Sequence, residues 1–312
     1  MSSATTHDPV MLEETLAGLN IIPNGIYIDG TFGRGGHAAA ILERLGSDGR
    51  LICFDKDPEA IAFARMHYGD DKRVILYQAC FSEMAKITEE LNIKHKVNGI
   101  LLDLGVSSPQ LEDGARGFSF MREGPLDMRM DPMQGVSAQE WLSVASQSEI
   151  SYVLKKYGEE SSAKRIAKII CQTRLSKPIT TTVELANIVA ASIPAKKWKR
   201  HPATKTFQAI RIHINQELEA LDKILLTSAE AILAPKGRLA LISFHSGEDR
   251  KVKHYFRSHS RVTLPRGVAI PEHKLTTALN WIVKRQRASL QEVERNPRSR
   301  SATLRVAEKN LI

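Results

Sequence analysis

Three short apolar runs in the first 103 residues each end on an aspartate: Ile26-Tyr27-Ile28-Asp29, Leu51-Ile52-Cys53-Phe54-Asp55 and Ile100-Leu101-Leu102-Asp103. Between them lie helical patterns. Ala38 to Leu45 places Ile41, Leu42 and Leu45 on one face, and Pro58 opens a second helix in its favoured first turn. Val74 to Tyr77 is a further apolar run, and a helix follows from about Ser82 to Leu91. Strands that are apolar throughout, with helices between them, belong to a parallel sheet covered on both faces. The spacing therefore predicts a doubly wound α/β domain, with ligands received outside the carboxyl ends of the strands. The aspartates stand at those ends.

The pattern then stops. Gly105 to Gly135 is rich in Gly, Pro and Met and has no period, and helical patterns without strands fill about Ser137 to Ser192. Glu149 to Tyr157, Ser162 to Arg174 and Thr182 to Ala191 are the expected helices. A long amphipathic helix is expected from Phe207, with Ile210, Ile214, Leu218 and Leu221 on one face, ending at Pro235-Lys236-Gly237. Arg238 to Phe244 reads as another buried strand and Ala302 to Ala307 as a last one. The economical architecture is one α/β domain interrupted by a helical insertion of about a hundred residues.

Charge divides the chain in the same way. Residues 1–150 carry 13 Lys+Arg against 22 Asp+Glu, and residues 151–312 carry 31 against 13. One half suits a small cationic ligand and the other a polyanion. Two clusters stand out: Lys196-Lys197-Trp198-Lys199-Arg200-His201, and a tail with Lys284, Arg285, Arg287, Arg295, Arg298, Arg300 and Arg305. Nucleic acid is the expected partner. Trp198 either stacks a base or fills a core. Cys53, Cys80 and Cys171 form no CxxC, which argues against a disulfide framework and a cysteine zinc site. No metal-ligand spacing appears among the histidines. The polar N-terminus, Met1 to Pro9, and the lack of an 18-residue apolar run predict a cytoplasmic protein without a membrane segment.

Asp29-Gly30-Thr31-Phe32-Gly33-Arg34-Gly35-Gly36-His37 joins the first strand to the first helix. Glycines there let the backbone approach a ligand, and the helix N-terminus adds N–H donors. Gly33-x-Gly35-x-x-Ala38 is a tolerable dinucleotide fingerprint, so a dehydrogenase remains open, with Asp55 on a ribose. Carboxylates at Asp29, Asp55 and Asp103 instead suit S-adenosylmethionine, a cation without pyrophosphate. Each residue also has a plainer role: Asp29 bracing the loop, Asp55 or Asp57 capping a helix, Phe81 as a core aromatic rather than against adenine. Gln110 serves a cofactor or caps a helix; His245 lines an acceptor pocket or is a satisfied buried histidine; His37 is a donor or a surface group.

In combination these stretches resemble the ribosomal RNA small subunit methyltransferase H (MraW) family, from about His7 to Glu308. The matching residues are Tyr27–His37, Gly99–Leu111, Arg116–Asp131, His201–Asn215 and Ile242–Ser246. The resemblance implies a Rossmann-like class I methyltransferase sheet with an inserted helical domain. Residues 1–112 and 206–312 would form the methyltransferase domain and 113–205 the substrate-recognition insertion. It implies S-adenosylmethionine-dependent N4-methylation of a cytidine in the decoding region of 16S rRNA, within a small ribosomal subunit or its precursor. It places cofactor contacts on Gly35, Gly36, His37, Asp55, Phe81, Asp103 and Gln110. Gly247 stands where the family usually has Leu, which puts the following helix start in question. Asp103-Leu104-Gly105-Val106 replaces the Asp/Asn-Pro-Pro-aromatic motif of many amino-methyltransferases, so the residue that takes the N4 proton stays open. The oligomeric state stays open too, a homodimer included. A non-enzymatic RNA-binding assembly factor on the same fold is the remaining alternative.

Overall fold

The computed structural model describes residues 9–198, 201–227, 229–261 and 277–311. The polar residues 1–8, and Lys199 and Arg200 of the first basic cluster, lie outside them. The chain divides into two compact units, residues 1–105 with 218–312, and residues 106–217. The second unit therefore takes in the stretches 106–112 and 206–217 on either side of residues 113–205.

The first unit is built on a seven-stranded sheet of order β3-β2-β1-β4-β5-β7-β6. Its strands are β1 (Ile26–Asp29), β2 (Arg50–Asp55), β3 (Val74–Gln78), β4 (Val97–Asp103), β5 (Leu233–Ser243), β6 (Leu279–Arg287) and β7 (Thr303–Lys309). The first five are mutually parallel, and β7 runs antiparallel between β5 and β6. Ile28 pairs with Ile52 on one side and Ile100 on the other, so the three aspartates close their strands on the same edge. Ile28, Ile52, Ile100, Leu101 and Ile242 are at most 1% exposed. Each such side chain contributes about 1.5–3 kcal/mol of burial, which fixes this central register.

Two expectations need correction. The residues from Lys284 to Arg305 are not a tail. Lys284, Arg285 and Arg287 lie on the edge strand β6, and Arg305 is a buried residue of β7. The Arg305 guanidinium donates to both oxygens of Asp249, at 2.7 and 3.0 Å. A buried arginine needs such a partner, so Arg305 belongs to the frame and not to a polyanion surface.

Nor is there one long helix from Phe207 to Pro235. Helix Ala203–Asn215 ends where Gln216 takes a left-handed φ of 52°, and Glu217–Thr227 and Ala229–Ile232 follow. The Arg211 guanidinium clasps Glu217 with two 2.8 Å bonds across that break. Pro235-Lys236-Gly237 lies inside β5, beside the register irregularity between Val97 and Gly99 on β4.

The second unit is helical: Ala138–Val144, Gln147–Gly158, Ala163–Ser176, Thr182–Ser192 and Ala203–Asn215. Ser137 with Glu140, Ser146 with Glu149 and Thr181 with Glu184 close reciprocal caps at three starts. The aperiodic stretch before them is held by polar bonds. Asn215 accepts from Met130 N–H and donates to the Met128 carbonyl, both at 2.7 Å, and the buried Arg116 donates to the carbonyls of Arg129 and Met130.

Candidate active site

The loop after β1 is shaped by two glycines. A methyl group on Gly30 would stand 2.3 Å from Leu102 Cδ2 and 3.1 Å from Phe81 Cβ, so only glycine lets the loop lie this close to β4. Gly35 has a φ of +76°, and a methyl there would meet the Phe32 ring at 2.7 Å. Gly35 N–H donates to the Phe32 carbonyl at 2.8 Å, closing the turn from which helix Gly36–Leu42 starts. Gly36 is its first residue and rests on the Pro9 ring.

The three strand-end carboxylates differ in what already holds them. Asp29 is 1% exposed and accepts Thr31 N–H at 3.0 Å, which is the bracing role. Burial, with the Asp55 charge adding to it, pushes its carboxyl up to about 7. Asp55 accepts Gly33 N–H on Oδ2 at 2.8 Å and Asp57 N–H on Oδ1 at 2.9 Å. Its carboxylate plane is thus fixed, and a backbone hydrogen bond from Lys56 adds to the hold. Burial raises it to about 6, against those backbone bonds. The cap of helix Pro58–Tyr68 is Asp57, which accepts Glu59 N–H at 3.0 Å, so Asp55 is not spent on that helix.

Asp103 is the least satisfied of the three. Its own N–H donates to Thr31 Oγ1 at 2.7 Å, which locks the end of β4 to the β1 loop. Its Oδ1 is buried without a hydrogen-bond partner. Burial, then the charges of Asp29 and Glu248, drive its carboxyl well above the usual range. His37 Nδ1 lies 3.8 Å from Asp103 Oδ2, longer than a hydrogen bond. His37 Nε2 is 3.0 Å from the Val10 carbonyl, which only accepts, so the ring proton is on Nε2. Burial lowers His37 to about 4, leaving a neutral ring that supplies no countercharge. A half-buried carboxylate with one buried, orphaned oxygen, in a negative field and beside a neutral imidazole, is chemically suited to a cationic group.

A family model described as the MraW methylase family matches residues 4–310. The chain belongs to that family. A ribosomal RNA small subunit methyltransferase H of Thioalkalivibrio sulfidiphilus (strain HL-EbGR7) is 51% identical over 308 residues, 98% of each chain. One of Shewanella violacea (strain JCM 10179 / CIP 106290 / LMG 19151 / DSS12) is 50% identical over 312 residues, 99% of each chain. Among solved structures, a putative rRNA-methylase from Clostridium thermocellum is 14% identical, covering 97% of this chain and 99% of that one, with a TM-score of 0.43.

Seen as a member of the MraW methylase family, the chain keeps two expected residues in local roles. Gln110, in the second unit, is 5% exposed and accepts Ser107 N–H on Oε1 at 3.0 Å, capping helix Ser108–Glu112. His245 caps helix Ser246–His259: Nδ1 accepts Gly247 N–H at 3.1 Å, and Nε2 stands 3.1 Å from Glu248 Oε1. The ring is half-buried and only partly satisfied, because its Nε2 is buried without a hydrogen-bond partner. The helix starts at Ser246 with Gly247 in place, and a methyl on Gly247 would meet the His245 ring at 3.1 Å. Phe81 is half-buried and opens a 3-10 turn after β3, against Gly30.

Sequence reasoning missed Thr31 and Glu248. Glu248 is 2% exposed and accepts from Phe244 N–H at 2.8 Å, and its charge reaches Asp103. The spacing His245-x-x-Glu248, that of a capping box, was the available signal. Among the described residues no three His, Cys, Asp or Glu side chains group as a metal site, and no helix is long and apolar enough to cross a membrane.

Proposed function

We propose that the protein is an S-adenosylmethionine-dependent methyltransferase acting in the cytoplasm on small-subunit ribosomal RNA, at N4 of a cytidine in the decoding region of 16S rRNA. The observation that carries the reading is the unpartnered Asp103 Oδ1 among three strand-end carboxylates, in a chain of the MraW methylase family. Asp103 takes the cofactor's ammonium. Asp55, its plane fixed by backbone bonds, would accept from the ribose hydroxyls. Phe81 lies beside the adenine, and the Gly35–His37 turn lets the backbone close on the ligand. Gln110 belongs to the second unit, where its Oε1 accepts the Ser107 N–H of its own helix cap. A pyrophosphate would meet Asp29, Asp55 and Asp103 as like charges, which disfavours the dehydrogenase reading.

When bound, S-adenosylmethionine supplies an electrophilic methyl group on a cationic sulfur. The chain's own task is alignment. The cytosine N4 lone pair is delocalised into the ring, so the amine has to be held in line, and orientation of that kind can supply up to about 7–11 kcal/mol. The base leaves its stack to reach such a position. The helical unit, residues 106–217, is the proposed substrate-recognition domain. The test is transfer of labelled methyl to undermethylated small subunits and to naked 16S rRNA, with nucleoside digestion afterwards. N4-methylcytidine is the expected product; label at another atom would remove the N4 assignment, and label in neither RNA would remove the activity.

A further inference from the structure

We infer that Trp198, His201 and Phe120 form a stacking platform for single-stranded RNA on the second unit, a binding site apart from the carboxylate cluster. The inference rests on the RNA methyltransferase reading for its biological partner and on the following geometry for its chemistry. His201 stacks on Phe120 with ring centroids 4.5 Å apart and planes 24° apart. Phe120 meets Phe207 edge-on at 5.0 Å, and Phe207 is 4% exposed in the core. The stack is therefore rooted in the core and not free to collapse.

Trp198 continues it outward. Its ring lies 6.1 Å from His201, tilted by 48°, and it is 42% exposed. Trp198 Nε1 donates to the Ile193 carbonyl at 3.0 Å, which satisfies the indole's one polar atom and holds the ring in place. His201 Nδ1 accepts Ala203 N–H at 3.3 Å at the start of helix Ala203–Asn215, which fixes the second ring as well. An exposed aromatic held by its polar edge keeps a face for a planar partner at little entropic cost.

The surrounding charge selects that partner. Lys196 and Lys205 are exposed, and the sequence adds Lys197, Lys199 and Arg200. No Asp or Glu occurs from residue 185 to residue 216. Exposed Lys196 and Lys205 bracket Trp198 and His201 along a segment without carboxylates, which matches the alternation of phosphate and base in a single strand. A duplex keeps its bases stacked and offers the platform only its backbone.

The experiment uses the full chain with a fluorescein-labelled, unstructured 12-nucleotide RNA and a hairpin duplex of equal charge, read by anisotropy. Trp198→Ala is expected to weaken the single strand about tenfold, the scale of one lost base stack, and the duplex by less than about threefold. Trp198→Phe keeps a ring and should bind the single strand within about threefold of the parent. With unlabelled RNA, tryptophan fluorescence should be quenched in the parent and mostly unquenched in Trp198→Phe, since of the two tryptophans that remain Trp141 is 9% exposed and Trp281 packs edge-on against Phe256. Calorimetry with S-adenosylmethionine checks that each variant is folded. Equal single-strand affinity in the parent and Trp198→Ala, or equal loss for single strand and duplex, overturns the platform. If Trp198→Ala fails to fold, quenching that persists in Trp198→Phe overturns it instead. A parent that shows Trp198-dependent binding but transfers no methyl to rRNA sinks the proposed function and leaves the platform standing; a parent that methylates with Trp198 irrelevant does the reverse.

Discussion

At the residue scale the site is a set of carboxylates held in an environment that opposes their charge. Asp29, pushed to about 7, and Asp55, pushed to about 6, are each partly protonated between about pH 6 and 7 before a cation arrives. Cofactor affinity should therefore rise with pH through that range, and binding near pH 6.5 should release protons. Calorimetry in buffers of different ionisation enthalpy reads both; affinity that is flat from pH 5.5 to 8 would contradict the acidic cradle. Stability has the opposite sign. A carboxyl whose folded pKa lies above its unfolded value contributes stability below about pH 4, where both states are protonated, and loses it as pH rises toward the folded value near 7. Asp29→Asn keeps an acceptor for Thr31 N–H and removes the charge. It should flatten the fall of the urea midpoint between pH 4 and 7 in the ligand-free protein and weaken cofactor binding. Parent and variant with the same pH slope would show that Asp29 is no liability.

At the element scale, the strands that carry the site and the sealing strand β7 were legible, and the edge strand β6 was not. β1, β2 and β4 read clearly because strands buried on both faces are apolar throughout, and their terminal aspartates break that rule visibly; β3, half-buried at the sheet edge, still reads as an apolar run. β6, Leu279–Arg287, alternates buried and exposed residues on the sheet edge, and its Lys284, Arg285 and Arg287 gave it the look of a solvated tail. The helix break at Gln216 was hidden because apolar spacing runs through it, and a left-handed glutamine carries no sequence mark. Caps stayed undecided for a related reason. Gln110, His245 and Asp57 are residue types that serve ligands and helix ends alike, and only their bonds to Ser107, Gly247 and Glu59 separate the two uses. The loop after β1 offers a direct check of element packing. Gly30→Ala puts a methyl 2.3 Å from Leu102 Cδ2, and overpacking of this kind costs about 1–3 kcal/mol. The urea midpoint should fall with an unchanged m-value; an unchanged midpoint would mean the loop gives way without strain.

At the scale of the whole molecule, charge separates two tasks along one chain. The acidic first 150 residues, at −9, hold the carboxylate site, and the basic remainder, at +18, brings the whole chain to +9. RNA affinity should fall steeply with salt, with a log–log slope of about −0.7 per single-strand phosphate contact. Cofactor affinity should change little, because its ionic contacts are partly buried. Replacing Lys196, Lys197, Lys199 and Arg200 together by alanine should flatten the RNA slope and leave cofactor binding intact. Identical slopes would move the phosphate contacts to the β6 edge around Lys284, Arg285 and Arg287.

The account turns on Asp103, whose buried Oδ1 lacks a partner and whose neighbour His37 is neutral. Titrating S-adenosylmethionine into the parent and into Asp103→Asn at pH 8, by calorimetry, tests it most directly. A hydrogen bond to a charged group is worth about 1.5–3 kcal/mol, so the variant should bind at least tenfold more weakly. Equal affinity in the two proteins would mean that Asp103 does not hold the cofactor, and that the strand-end carboxylates serve some other purpose.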